Sequence, residues 1–249
     1  MSIQTWIDVL VSVVVVSAIS LVGILTLTMR PDRLHQLSRF LVSFAVGTLF
    51  GDAFIHLLPE SFRTLGLHLT TSLWVMAGVV VFFSLEKFIR WRHCHIPQSA
   101  EHPHPMVATN LIGDGVHNFI DGVLIGANYT VSTPLGVATT VAIVLHEIPQ
   151  EMSDFGVLLH GGLSVRRALM FNLLSALTAI VGAIVSLVIG ARIARYALYM
   201  TPIAAGGFIY IAGTDLIPEL HQELGVARSC WQLLSMILGV GIMALLAFS

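Results

Sequence analysis

Charged residues and cysteines are scarce in this chain. Of its 249 residues only 10% are charged and two are cysteines, Cys94 and Cys230, whereas 56% are hydrophobic. A soluble domain usually carries about 25% charged residues, so the composition excludes an ordinary soluble domain. Two distant cysteines exclude a disulfide scaffold and a thiolate metal site, and the net charge of −2 argues against nucleic acid as a partner.

Long hydrophobic runs fill most of the sequence instead. A helix that crosses a bilayer needs about 20 mostly apolar residues. The sequence predicts an all-α integral membrane protein, a single transmembrane domain over residues 1–249 with the lipid bilayer as a partner. No cleavage signal follows the first run, so we expect it to remain as a helix. Eight spans are expected at 5–29, 40–59, 70–90, 107–129, 135–160, 167–190, 197–217 and 229–248.

The positions of lysine and arginine predict how these spans are oriented. With the N-terminus outside, nine of the twelve basic residues fall on the inner side, and only Arg63, Arg192 and Arg195 fall on the outer side. Cytoplasmic loops are enriched in basic residues, so both termini are expected to face outward. The compactness of the chain favours a bacterial inner membrane.

The longest connection, residues 91–106, contains the sequence HCHIPQSAEHPHP. Short tracts rich in histidine and cysteine bind transition metals, so this loop predicts weak metal binding on the cytoplasmic side. The spacing matches no fixed tetrahedral site, and an ordinary solvated loop is the alternative. The histidines concerned are His93, His95, His102 and His104.

A short internal repeat links the second and seventh spans. HLLPE occupies residues 56–60 and DLIPE residues 215–219. The two spans would run in opposite directions, which is typical of the inverted repeats of secondary transporters. Polar residues around the repeat are candidates for recruiting or releasing ions, with ordinary interfacial residues as the alternative: His56, Glu60, Asp215, Glu219, His221 and Glu223.

Two polar stretches interrupt the apolar fourth and fifth spans. In NLIGDGVHNFIDG, spacings of three and four residues place one set of side chains on a single helix face: Asp114, His117, Asn118 and Asp121. In HEIPQEMSD, two adjacent stripes carry polar groups: His146 with Gln150, and Glu147 with Glu151 and Asp154. Pro149 removes a backbone donor one turn after Leu145, which is tolerated where a helix is buried or lines a cavity.

Depth in the membrane predicts that these stretches meet. Counted from the inner ends of the spans at 107 and 160, His117 is expected opposite Gln150 and Glu151, and Asp121 opposite His146 and Glu147. Clustered carboxylates without a lysine or arginine need a compensating charge. Imidazole with carboxylate favours zinc, iron or manganese over calcium or magnesium. The alternative is a proton-sharing network that only holds the helices together.

With HNFIDG and HEIPQE, the sequence resembles the ZIP family of divalent-metal transporters over almost its whole length. It is most similar to the branch with His-Glu-x-Pro-His-Glu in the fifth span. The resemblance implies eight spans in a three-two-three arrangement with inverted repeats, a homodimer, and alternating access by an elevator-like motion that includes spans four and five. It implies uptake of zinc, with iron, manganese or cadmium as alternatives, no other cofactor, and no enzymatic activity.

The resemblance also implies a site for two metals, or one metal and water, between spans four and five. His117, Asp121, His146 and Gln150 suit one subsite, and Asn118, Glu147 and Glu151 suit or flank the second. Apart from the resemblance, Asp114 and Asp154 are candidate transit or accessory residues on the same helix faces. Gln150 departs from the branch, which carries histidine there, and Ser153 replaces a usual glycine. A carboxamide is a weaker zinc ligand than imidazole or carboxylate, so the number of ions and the preferred metal stay open.

Three other functions would use similar residues. An intramembrane metalloprotease needs H-E-x-x-H on a helix, but the fifth residue here is Gln150 and Pro149 disturbs the helix. A metal sensor needs a domain that passes on the signal, and the composition leaves little room for such a soluble domain. A channel needs binding weak enough for rapid exit, and the sequence leaves carrier and channel open.

Overall fold

The computed structural model describes residues 2–91, 104–193, 195–221 and 225–248, and these residues are almost entirely helical, with no strand among them. The all-α prediction is confirmed. The described residues form eight rods, some of them built from several segments. They are α1 (Ile3–Ile19, a 3-10 turn Ser20–Val22, and Gly23–Thr26), α2 (Pro31–Gly51, a π turn Asp52–Leu57, and Leu58–Leu65), α3 (Leu69–Trp91), α4 (His104–Val131), α5 (Thr133–His160), α6 (Val165–Ala176 and Thr178–Arg192), α7 (Tyr196–Ile211, a π turn Ala212–Leu216, and Ile217–Leu220) and α8 (Val226–Leu246).

Five of these rods are long and apolar enough to cross a membrane, judged by length and composition. They are Ile3–Thr26, Gln36–Leu65, Val165–Arg192, Tyr196–Thr214 and Val226–Leu246. The apolar part of α3, Leu69–Leu85, is shorter. α4 and α5 have 28 residues each, or about 42 Å at 1.5 Å per residue, and they carry the polar stretches. The architecture is that of an integral membrane protein.

Several helices extend beyond the apolar runs from which they were predicted. α2 covers residues 31–65 rather than 40–59, and α4 begins at His104 rather than at 107. Local features mark two of the helix ends. The Ser132 hydroxyl accepts a hydrogen bond from the Leu135 backbone N–H at 3.3 Å at the start of α5, and Gly66, with φ of 83°, ends α2. Apolar length therefore marks a membrane span but not the ends of its helix.

Three pairs of helices cross at closely approaching glycines. A Cβ atom on any of these glycines would overlap a backbone carbonyl oxygen of the facing helix, so only glycine allows the approach. The pairs are Gly122 and Gly182 between α4 and α6, Gly47 and Gly239 between α2 and α8, and Gly78 and Gly206 between α3 and α7. The first crossing lies one residue from Asp121 and so helps to hold the polar face of α4 in place.

α2 and α7 share an unusual local geometry. Each contains a π turn, Asp52–Leu57 and Ala212–Leu216, immediately before the repeated LPE and IPE sequences. Pro59 and Pro218 cannot donate to the carbonyls of Ile55 and Thr214 one turn earlier, and both carbonyls belong to the π turns. The wider turns accommodate these lost hydrogen bonds, as π bulges commonly do.

Candidate metal site

The polar faces of α4 and α5 meet inside the helix bundle. α4 contributes Asp114, His117, Asn118 and Asp121, and α5 contributes His146, Glu147 and Glu151; all of these except His117 are buried. The His117 side chain is 20% exposed. No lysine or arginine occurs in either helix. The structure thus gathers several buried ionisable groups with no protein cation among the residues of these two helices.

Four ligand atoms converge in what we call the first group, formed by His117, Asp121, His146 and Glu147. The Nε2 atoms of His117 and His146 are 3.3 Å apart, and they lie 3.3 Å and 3.5 Å from Glu147 Oε1. Asp121 Oδ2 is 3.4 Å from His146 Nε2 and 3.7 Å from His117 Nε2. A tetrahedron with zinc–ligand bonds of 2.0–2.1 Å has edges of about 3.3–3.4 Å. Three of these five distances match the edges of a tetrahedral zinc site, and the other two exceed them by about 0.1–0.3 Å.

The carboxylates of the first group are not engaged in hydrogen bonds within the described part of the chain. Both oxygens of Asp121 and both oxygens of Glu147 are buried without a hydrogen-bond partner, although imidazole nitrogens lie nearby. The carboxylate oxygens therefore have the spacing of ligands to a shared ion, whereas the only hydrogen bond within the first group joins the two imidazoles. Such orphaned buried oxygens are costly unless a ligand satisfies them, and a divalent cation fits this donor set.

The ring of His146 is held in a defined orientation. Its Nδ1 donates a hydrogen bond to the carbonyl oxygen of Ala142 at 3.1 Å. That bond places the proton on Nδ1 and leaves the Nε2 lone pair facing the first group. A hydrogen bond from the ring nitrogen that faces away from the metal commonly fixes the tautomer of histidines that bind metals.

Three carboxylates form a second group: Asp114, Glu147 and Glu151, whose ligand atoms all lie within 4.8 Å of one another. Glu147 belongs to both groups. Glu151 Oε1 and Asp114 Oδ2 are buried without a hydrogen-bond partner among the described residues. Oxygen ligands alone suit harder cations better than imidazole does, so the two groups differ in the ions that they favour.

Two asparagines orient the second group. Asn172 of α6 donates to Glu151 Oε2 at 2.5 Å and to the carbonyl oxygen of Ser20 in α1 at 3.1 Å. Asn118 donates to Asp114 Oδ1 at 2.9 Å, and its own carboxamide oxygen is buried with no partner among the described residues. That oxygen has no competing hydrogen bond among the described residues, and the expected role of Asn118 as a ligand stays a prediction.

The expected pairing of Asp121 with His146 and Glu147 is confirmed, whereas the expected pairing of His117 with Gln150 and Glu151 is wrong by about one turn. His117 lies against His146 and Glu147, whereas Asp114 lies against Glu151. The error comes from the start of α4, which was expected at 107 and lies at His104. His117 is thirteen residues after His104, and Glu147 is thirteen residues before His160, the end of α5. Equal depth therefore predicts the observed pairing once the helix ends are known.

The other expected residues lie outside these two groups. Gln150 is half-buried and forms no hydrogen bond among the described residues, so its role as a ligand stays a prediction. Asp154 accepts a hydrogen bond from Asn110 at 3.2 Å, one turn beyond Glu151. His56 donates to the Met243 carbonyl at 2.9 Å, and Glu60 pairs with Arg63 at 2.7 Å. His221 is exposed.

Several expected residues cannot be placed relative to the site. His93, His95, His102 and Glu223 lie outside the described residues, as do the side chains of His104, Asp215 and Glu219. Their expected roles in binding or passing on ions stay predictions.

Sequence reasoning missed Asn172 and Asp52. Both are fully buried, and both oxygens of Asp52 lack a hydrogen-bond partner among the described residues. The available signal was their isolation in apolar surroundings, MFNLL and LFGDAF, since a polar residue within a membrane span usually has a functional or structural partner. Neither residue lies in a recognisable spacing pattern.

Comparison with known proteins agrees with this geometry. The family model described as "ZIP Zinc transporter" matches residues 3–108 and 104–247. "Zinc transporter ZIP13" of Pongo abelii is 34% identical over 221 residues, covering 82% of this chain and 65% of that protein. "Zinc transporter zipt-7.1" of Caenorhabditis briggsae is 30% identical over 273 residues, covering 82% and 70%. "Zinc transporter SLC39A7" of Homo sapiens is 28% identical over 307 residues, covering 86% and 65%.

The matches extend over most of this chain but over less of the relatives. The chain spans less than two thirds of the ZIP13 and SLC39A7 relatives. The family model, by contrast, covers nearly all of the present sequence. Together with the apolar helices, this identifies a multi-pass membrane protein.

Proposed function

The chain belongs to the ZIP zinc transporter family, and we propose on this premise that it carries divalent transition-metal ions across a membrane toward the cytoplasm. Zinc is the main substrate, and iron and manganese are further substrates. The family is one of transporters, and we assign the chain no enzymatic activity. The ion passes between α4 and α5.

The observation that carries this proposal is the spacing of the first group. His117, Asp121, His146 and Glu147 present four ligand atoms at distances close to the edges of a zinc tetrahedron, and their carboxylate oxygens are buried without other partners. A network that only held the helices together would satisfy its own hydrogen bonds. The first group instead leaves its charge to be balanced by a cation.

Glu147 provides a way to move an ion from one group to the other. It belongs to both groups, so an ion can exchange the imidazoles of the first group for the carboxylates of the second while one ligand stays bound. The second group lies nearer to the His104 end of α4 and the His160 end of α5. Asn110 and Asp154, both half-buried, continue the polar path in that direction.

The described conformation is closed on the opposite side of the site. Beyond Asp121 on α4, Leu124, Ile125 and Tyr129 are buried, and beyond His146 on α5, Ile143 and Leu135 are buried. On the other side, several residues of α4 between 110 and 117 are only half-buried. We therefore assign this conformation to the inward-facing side of an alternating-access cycle.

The packing of the helices offers two bodies that can move relative to each other. In the first body, a glycine crossing joins α4 to α6, and α1 packs on α5. In the second body, the other two glycine crossings join α2 to α8 and α3 to α7. We propose that α1, α4, α5 and α6 move as one unit against α2, α3, α7 and α8. Such closely packed pairs transmit a rigid-body displacement without repacking.

All eight rods cross the membrane in the proposed arrangement. α4 and α5 are long enough to span it, and their polar residues face each other rather than lipid. The three-two-three order, the outward termini, the inverted repeat and the homodimer follow from the family resemblance. The bacterial inner membrane stays a prediction, and the relatives named above are animal proteins.

Flux measurements on purified protein in liposomes test the proposal. Zinc, iron and manganese uptake is measured with and without a proton gradient, for the wild type and for H117A and E147A. Both variants remove a ligand of the first group, so uptake is expected to fall to the level of empty liposomes while the protein still inserts. H68A, which removes an exposed histidine outside the site, is expected to transport normally.

Two results would contradict the proposal. Normal uptake of all three metals by H117A and E147A would show that the first group is not the transport site. Flux that rises without saturation, and that shows no counterflow when unlabelled metal is placed inside, would indicate a channel rather than a carrier.

A further inference from the structure

Phe208 of α7 contacts a residue of the first group from outside the two helices that supply the ligands. The Phe208 side chain is fully buried. Its ring centroid lies 6.3 Å from that of the His146 imidazole, with the two ring planes at 63°. Aromatic pairs favour such tilted arrangements, with centroids about 4.5–7 Å apart. A phenyl ring has no lone pair to offer an ion, so the contact acts on the ligand and not on the metal.

The sequence before Phe208 explains why its ring reaches the site. Residues 204–207 are two alanines followed by two glycines, and all four are buried. A Cβ atom on Gly206 would overlap a backbone carbonyl oxygen of α3, and one on Gly207 would overlap the ring of Phe82. Small residues let membrane helices approach closely. Phe208 is the first large buried side chain after this stretch, and the close approach of α7 brings its ring against His146.

The imidazole of His146 is held by three neighbours. Its Nδ1 donates to the Ala142 carbonyl oxygen at 3.1 Å, and its ring lies against that of His117, with centroids 5.6 Å apart and planes at 82°. The hydrogen bond fixes the direction of Nδ1 but leaves the ring able to turn about that bond, and His117 is itself a ligand. We propose that Phe208 is a positioning residue, which holds the His146 ring so that Nε2 stays directed at the ion.

This proposal rests on the proposed function and adds a determinant of metal preference to it. Imidazole suits zinc, whereas carboxylates suit manganese. A loosened His146 therefore weakens zinc binding more than manganese binding, because manganese depends less on the imidazoles. In the proposed cycle, α7 belongs to the body that lacks α4 and α5. The support that Phe208 gives to His146 thus depends on the relative position of the two bodies.

Titration calorimetry of the purified full chain with zinc and with manganese tests the role of Phe208. F208L removes the ring but keeps a large apolar side chain. We expect F208L to bind zinc about 10-fold more weakly than the wild type, as when a residue that orients a metal ligand is lost, and to bind manganese with nearly unchanged affinity. F82L is the matched control, because Phe82 is also buried and packs on the neighbouring Gly207. It is expected to bind both metals as the wild type does.

The remaining outcomes separate positioning from packing. Unchanged zinc affinity in F208L would overturn the proposal. An equal loss for both metals, or the same loss in F82L, would also overturn it, because Phe208 would then support only the packing of α7. If F208L does not fold, F208M serves, since methionine fills irregular spaces without an aromatic ring; selective loss of zinc affinity in F208M supports the proposal, and wild-type affinity contradicts it. A wild type that binds neither metal would instead refute the proposed function.

Discussion

Asn172 connects the metal site to the rest of the bundle through a single side-chain nitrogen. That nitrogen donates both to Glu151 in α5 and to the Ser20 carbonyl in α1, and Asn172 itself is fully buried in α6. Without it, a buried carboxylate would lose its only described donor. Asn172 therefore positions Glu151 for ions without being a ligand in the first group.

We predict that N172A lowers the affinity for zinc or manganese by about 10- to 100-fold, the usual effect of removing a hydrogen-bond partner of a metal ligand. Titration calorimetry on the purified protein measures the affinity. N128A is the matched control, because Asn128 is equally buried and bonds to Thr139 and Thr201, outside both groups. It is expected to lower stability and leave affinity unchanged. Equal affinity in N172A and the wild type would show that Asn172 only supports packing.

At the scale of residues, the sequence predicted which side chains take part in the site better than it predicted which of them contact one another. The i,i+4 spacing of His117 and Asp121 and the adjacent pair His146 and Glu147 are local patterns, and the structure brings all four together. Contacts such as Asn172 with Glu151 join residues on different helices, and no spacing along one helix predicts them. The one-turn error for His117 arose because α4 begins at His104, ahead of the apolar run from which its start was predicted.

At the scale of elements, glycine determines how closely the helices approach. Gly122 and Gly182 let α4 and α6 cross with the backbone of one against the backbone of the other. In a membrane the association of helices depends on such close packing, because lipid offers no hydrophobic driving force. Gly122 is adjacent to Asp121, so the crossing also fixes the height of the first group.

We predict that G122A destabilises the protein and impairs transport. The added Cβ overlaps the Ala179 carbonyl oxygen, and overpacking of this kind costs about 1–3 kcal/mol. The fraction of monodisperse protein that remains after heating measures stability, and liposome flux measures transport. G156A is the control, since a Cβ at Gly156 meets nothing within 4 Å. A G122A protein as stable and active as G156A would contradict this role for the crossing.

The repeated geometry of α2 and α7 was only partly visible in the sequence. The HLLPE and DLIPE segments indicate related spans, and the structure gives both spans a π turn before the proline. The turns themselves were not predicted, because a proline within a helix also permits a simple kink. The glycine crossings show the same correspondence, with α2 on α8 and α7 on α3.

At the scale of the whole molecule, the polar residues of the site lower the apolarity of the two helices that carry them, so hydropathy does not select these helices as spans. α4 and α5 are absent from the helices selected by apolarity, yet they are 28 residues long and lie at the centre of the packing. Hydropathy identifies spans that face lipid, whereas the spans that hold ions are shielded by the others. The proposal of eight spans, three more than apolarity alone selects among the described residues, therefore rests on length and position.

The orientation of the molecule gives the last prediction. We expect the connection between α2 and α3 and the C-terminal end to lie outside, and the connection between α5 and α6 to lie inside. In a C94S/C230S background, L67C and F248C should react with a membrane-impermeant maleimide in sealed right-side-out vesicles. S164C should react only after permeabilisation. All three positions are exposed, so differences in labelling report the side of the membrane. Labelling of S164C alone in sealed vesicles would mean that the opposite orientation is correct, and with it that the metal path opens outward in this conformation.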